Sequence, residues 1–235
     1  MTIAAPQTRI GPVMRLHTAT LSSLLWMVPI IGAIFAVILA ASIVVGNDTN
    51  TTTATPQVVI YIFIYVTAIL AITQMAPYAL SFGVTRRVFL TATLTFYSIM
   101  TAAITVIMAG LASVEHLTNG WGVEMSFFRV IPEVPVSTLI AWLALLLFLT
   151  SAATVGFLTG AIFLRWGAAG VWAAVLGLIV VIGVIAIGVL QFGWWEPIRN
   201  AVSEAPLEVL LIGGLIGVVA VSTLATTAIF RRTAV

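Results

Sequence analysis

The side chains able to do chemistry are few, and their positions limit what that chemistry can be. The 235 residues contain no Cys and no Lys. This removes thiol nucleophiles, disulfides, Cys-based metal sites, Schiff bases and the P-loop lysine. The two histidines, His17 and His116, lie at opposite ends of apolar segments and cannot share a metal or a proton. The seven acids, Asp48, Glu115, Glu124, Glu133, Glu196, Glu204 and Glu208, all fall at or beyond the ends of apolar runs. No paired carboxylates and no H-E-x-x-H metal motif are therefore available inside them. Ser, Thr and Gln74 are scattered through the runs without a base beside them, where such groups ordinarily hydrogen-bond to backbone or to neighbouring helices. No catalytic, cofactor or metal-ligating residue is assigned. An intramembrane enzyme is disfavoured, because no nucleophile–base or metal constellation exists.

The elements carrying these residues follow from hydropathy and charge. The chain is 62% hydrophobic and only 7% charged, with mean hydropathy +1.23. Soluble domains carry about 25% charged residues, so a soluble fold is excluded. Six apolar segments are each long enough to cross about 30 Å of hydrocarbon as a helix: 21–46, 58–80, 88–114, 137–164, 169–191 and 207–230. All nine basic residues are Arg. Arg9, Arg15, Arg86, Arg87, Arg165, Arg231 and Arg232 cluster at one set of segment ends. The acids cluster at the other, with Arg129 and Arg199 as the only basic exceptions. Under the positive-inside rule the Arg side is cytoplasmic, which puts both termini there. The expectation is one all-α membrane domain over 1–235, multi-pass in a bacterial plasma membrane. Residues 1–20 form a cytoplasmic or interfacial segment. The first apolar run is too long for a cleavable signal peptide. The pI of 9.5 reflects two surplus charges on a nearly uncharged chain and does not point to nucleic acid.

The spans hold no ionisable residue away from their ends, which argues against a proton-coupled carrier or a cation channel. The outer connections are the longer ones. Residues 47–57 carry two N-x-T sequons, at Asn47 and Asn50. Residues 115–136 carry Trp121, Phe127, Phe128, Pro132 and Pro135, and residues 192–206 carry Trp194 and Trp195. These Trp residues read as an interfacial aromatic belt, or else as part of a substrate site. Small residues four apart, Gly156/Gly160 and Gly213/Gly217, suit close helix contact, either within the chain or across a dimer. Pro29 and Pro77 are expected to kink their spans. The inner connections are short: 81–87 and 165–168. In the first, Gly83 permits a tight turn, Thr85 can cap the next helix, and Arg86 and Arg87 face the cytosol beside Phe82, Val84, Val88 and Phe89. This makes a short amphipathic hook, which serves either as a topological anchor or as a contact for a partner.

The hook and the stretch after it resemble the small actinobacterial permease subunits of type-2 ABC exporters. The resemblance rests on Leu-Ser-Phe-Gly-Val-Thr-Arg-Arg at Leu80–Arg87. It continues with the acid Glu115, Gly-Trp-Gly at Gly120–Gly122, the pair Phe127 and Phe128, and a last span closing on Arg231 and Arg232. It covers residues 58–128 best. It implies a six-helix permease that pairs with itself or a paralogue and rests on two cytoplasmic ABC ATPase subunits, which bind ATP and Mg. By the same resemblance the coupling residues are Gly83, Val84, Thr85, Arg86, Arg87 and Phe89. It also implies that residues 9–20 lie along the membrane surface and that 192–206 form re-entrant helices. With no P-loop in the chain, active transport requires a borrowed ATPase. The absence of fixed charge in the spans suits an amphipathic or lipid-like substrate: a drug, an antimicrobial peptide or a lipid. The alternative is a non-transporting membrane scaffold or assembly subunit of a larger complex.

Overall fold

A computed structural model describes residues 27–45, 55–124, 126–128 and 137–232, and these are almost all helical. The N-terminal segment 1–20, the sequons at Asn47 and Asn50, and Arg129, Pro132, Glu133 and Pro135 lie outside the described residues. The helices are α1 (Met27–Val45), α2 (Thr55–Leu70), α3 (Ala76–Ser81), α4 (Arg86–Leu117), α5 (Thr138–Gln191), α6 (Trp195–Glu204) and α7 (Leu207–Arg232). A π-type turn, Ala71–Met75, joins α2 to α3 without a break. There the Ala76 N–H reaches back five residues to the Ala71 carbonyl, just before Pro77 removes a donor from the ladder. The chain therefore passes the proline by widening one turn.

Among the described residues, four helical stretches are long and apolar enough to cross a membrane: Pro56–Ser81, Arg86–Leu117, Thr138–Gln191 and Leu207–Arg231. This is the build of an all-helical membrane protein. At 54 residues, α5 would be about 80 Å long if straight, far more than one crossing needs. Gly167 breaks it, with φ 67° and ψ −163°, a conformation that a side chain would resist. The sequence leads one to expect a connection of four residues, 165–168. Instead a single residue leaves the helix. The turn is tight enough that a Cβ at Gly170 would fall 2.3 Å from the Trp166 Cβ.

The core lies where the first limb of α5 meets α2, α4 and the end of α7. Ile64, Ala68 and Ile72 come from α2 and the π turn, Phe89 and Tyr97 from α4, Leu149, Ala152 and Phe157 from α5, and Phe230 from α7. Gly156 and Gly160 set the α2–α5 spacing. A Cβ at Gly156 would stand 2.6 Å from the Tyr65 carbonyl oxygen, and one at Gly160 2.8 Å from the Ile72 Cβ. This small-residue pair thus serves packing within the chain. Nothing lies within 4 Å of a Cβ built at Gly213 or Gly217. The buried hydroxyls bond mainly to their own helix, as Thr105 does to the Thr101 carbonyl, Thr150 to Leu146 and Thr226 to Ser222. Bridges between helices include Tyr65 Oη to Thr159 Oγ1 at 3.2 Å and Thr101 Oγ1 to Thr150 Oγ1 at 3.3 Å. Beyond Gly167 the second limb of α5 contributes no residue to the core. Trp172, Val175, Leu176, Ile179, Ile182 and Ile185 are all exposed. A helix apolar on every side belongs in a protein core or in lipid, and this one is outside the core.

Candidate functional site

Two built structures stand at opposite ends of the helices. The first is the hook. Helix α3 ends in a Schellman turn: the Gly83 N–H donates to the Leu80 carbonyl at 3.0 Å, and the Val84 N–H to the Ala79 carbonyl at 3.3 Å. Gly83, at φ 79°, takes the left-handed position that the motif requires. Two residues later Thr85, extended at φ −74° and ψ 148°, caps α4 by accepting the Val88 N–H at 3.4 Å. Only Phe82 to Thr85 therefore separate two long helices, and the backbone groups at both helix ends are held. The Arg86 guanidinium donates to the Arg231 carbonyl at 3.2 Å, tying the start of α4 to the end of α7. Beneath it Phe89 stacks on Phe230, with ring centroids 6.2 Å apart.

The six residues singled out for coupling divide by exposure. Gly83, Thr85 and Arg87 are exposed, Val84 and Arg86 are half-buried, and Phe89 is fully buried. Phe89 thus faces the protein's own core and offers no surface to a partner. Sequence reasoning names Phe82 in the hook but not among the coupling residues, and it passes over Tyr78. Phe82 is 67% exposed and Tyr78 56% exposed, with their rings edge to face at 4.8 Å. Their four-residue spacing across the end of α3 is the available signal.

The second structure gathers the residues beyond the end of α4. Glu115, only 4% exposed, receives three N–H donors on one oxygen, Oε2. These are the backbone N–H groups of Phe127 and Phe128, each at 2.9 Å, and the Trp121 indole at 3.2 Å. Gln57 Nε2 donates to the Phe128 carbonyl at 3.4 Å, fastening the loop to the start of α2. Phe35 of α1 meets Trp121, Phe127 and Phe128 at centroid separations of 5.1, 5.3 and 5.7 Å. Asn119, Gly120, Trp121 and Gly122 all have positive φ, from 50° to 78°. For a residue as bulky as Trp, that conformation costs about 1–2 kcal/mol. The strain is offset by the bonds that Glu115 makes. Glu115 accepts all three bonds on one oxygen, and the arrangement is a clasp that holds the loop against the end of α4. The sequence singles out Glu115, Gly120–Gly122, Phe127 and Phe128 only as resembling a family. It does not show that they meet, or that Phe35 and Gln57 join them.

No family model, no characterised protein and no solved structure matches the chain. The permease resemblance therefore rests on the residues that carry it.

Proposed function

We propose that the chain is the membrane-spanning permease subunit of an ABC exporter, moving an amphipathic or lipid-like molecule with energy from a separate cytoplasmic ATPase. The observation that carries this reading is the stiff hook. A contact that pushes on Phe82–Thr85 finds no slack, because the turn is capped on both sides and clamped to α7 by Arg86 and Phe89. Force applied there tilts α3 and α4 together. Counting α5 as two crossings about Gly167 and adding α1 makes six spans, in keeping with such a subunit. The Arg residues at the hook, at Arg165 and at Arg231 support a cytoplasmic setting for this end, in a bacterial inner membrane. The ATPase-facing surface is then Phe82, Gly83, Thr85 and Arg87 with Tyr78 behind, while Phe89 and Arg86 brace it from within. Most buried Ser and Thr hydroxyls of the helices bond to helix carbonyls, so the inside of one subunit offers little polar lining to a substrate. A path between two copies, or between this chain and a paralogue, fits better.

Affinity purification of the full chain from its native membrane, under mild detergent, tests this reading. A P-loop ATPase should co-purify in stoichiometric amount. Phe82→Ala combined with Arg87→Glu should release it or uncouple its hydrolysis from substrate, with membrane insertion unchanged. Recovery of membrane proteins with no ATPase would instead favour the scaffold reading. Full ATPase retention and transport by the double variant would reduce the hook to a topological anchor.

A further inference from the structure

Helix α6 is the one described helix with a strongly two-sided surface. Trp195, Ile198 and Val202 share one face, with Trp194 just ahead of them. Glu196, Arg199, Asn200, Ser203 and Glu204 share the other. Every residue from Gln191 to Glu204 is exposed, so no described residue covers the apolar face. The helix is tethered at both ends to membrane-length helices. Helix α5 stops in a second Schellman turn, with the Gly193 N–H donating to the Leu190 carbonyl and the Trp194 N–H to the Val189 carbonyl at 3.0 Å. At the far end only Ala205 and Pro206 precede α7. The segment is thus confined to within a few residues of the hydrocarbon boundary.

We infer that α6 lies flat in the membrane–water boundary at the clasp end, with Trp195, Ile198 and Val202 sunk among lipid acyl chains and its charged face among headgroups. Four observations favour lying over diving. Ten residues of helix extend about 15 Å, enough to cross the tops of two adjacent helices but lacking a returning limb. Two residues of extended chain recover only about 7 Å. Helix α7 is anchored at its far end by Phe230 on Phe89, and its 26 residues span about 39 Å, so Leu207 already stands at the near boundary. A dive would also carry Glu196, Arg199 and Glu204 into hydrocarbon, where charges are costly. Attachment to such a surface has an apolar part and an electrostatic part. Here Arg199 is paired with Glu196, and Glu204 leaves the helix one charge negative. The apolar part therefore acts alone, and anionic headgroups are not the ligand. This inference requires a membrane but not an ATPase, so it stands or falls separately from the exporter reading.

The Cys-free chain makes the test direct. Single Cys variants from Trp195→Cys to Glu204→Cys, omitting Pro197, carry a nitroxide label in the full protein. The protein is reconstituted in phosphatidylcholine vesicles and, separately, in vesicles containing phosphatidylglycerol. Accessibility to oxygen is compared with accessibility to a water-soluble nickel chelate. Sites 195, 198 and 202 should favour oxygen, and sites 196, 199 and 203 should favour nickel. The two should alternate with helical period about one shallow depth, identically in both lipids. Nickel access at every site would put the helix in water, and protection from both reagents would mean that protein covers it. A steady rise in depth along the helix would mean a dive, and a change with anionic lipid would mean charge-led binding. Any of these overturns the proposal. Ile198→Glu, read with the label at Val202→Cys, should move that site from oxygen to nickel while labels in α7 keep their depth.

Discussion

Replacing Glu115 tests whether the clasp is held by one carboxylate oxygen. A hydrogen bond to a charged acceptor contributes about 1.5–3 kcal/mol and a neutral one about 0.5–1.5, so Glu115→Gln forfeits about 1 kcal/mol per bond. Three donors meet Oε2, which sets a ceiling of about 3 kcal/mol; the sharing of one oxygen lowers the actual figure. Glu115→Ala leaves the buried N–H groups of Phe127 and Phe128 without an acceptor, at about 1–3 kcal/mol each. Relief of the left-handed Trp121 backbone returns about 1–2 kcal/mol as the loop lets go. The net expectation is a loop that opens before the helices separate. Ser126, whose Oγ is buried, reports this when changed to Cys, because the chain has no other thiol. Labelling of Ser126→Cys by an impermeant maleimide should be slow with Glu115, faster with Gln and fastest with Ala. A label at Thr226→Cys in the α7 core should stay protected throughout. If Glu115→Ala leaves Ser126→Cys as protected as the parent, the carboxylate does not hold the loop and the reasoning fails.

Packing and charge give further expectations. Gly156→Val must push the Tyr65 carbonyl and Ala68 away from α5. It should lower thermal stability in detergent by at least the roughly 1–3 kcal/mol typical of overpacking, whereas Gly213→Ala and Gly217→Ala should shift it by no more than about 0.5 kcal/mol. A loss of self-association in the Gly217 variant, seen by light scattering, would show instead that a second copy reads that face. Single Cys at Asn119 and Ser203 should react with impermeant thiol reagent in intact cells, and Cys at Thr85 should not. Labelling at Thr85 would reverse the orientation and remove the hook from the cytoplasm.

Local chemistry is legible in the sequence, and distant contact is not. Hydropathy locates the long helices, and charge separates their two ends. Gly83 and Thr85 announce their turn and cap because both roles are settled by the residue's own conformation and a partner within five positions. Phe89 sits in that same stretch, yet its direction depends on Phe230, more than a hundred residues away, and no local pattern contains that information. Glu115 and its donors escape the sequence for the same reason on a smaller scale: the loop must fold back before residues 115 and 127 meet. The connection at 165–168 reads as a loop because Arg165 and Gly167 interrupt the hydropathy. The backbone needs only one glycine to break the helix. In 192–206, polar residues hide an amphipathic period that short helices display weakly.

The two limbs of α5 are held to different standards by their neighbours. The first limb answers to shape: Ala152, Gly156, Phe157 and Gly160 fit against particular atoms of α2 and α4, and exchange there is punished by volume. Lipid chains adapt to whatever side chain they meet, so a lipid-facing limb answers to hydropathy alone. Over evolutionary drift Leu, Ile and Val would then trade places along 168–191 almost without cost, and that stretch would store little information about the fold. Departure from free exchange on one stripe of it would reveal a rigid neighbour there, a second protein surface in place of lipid.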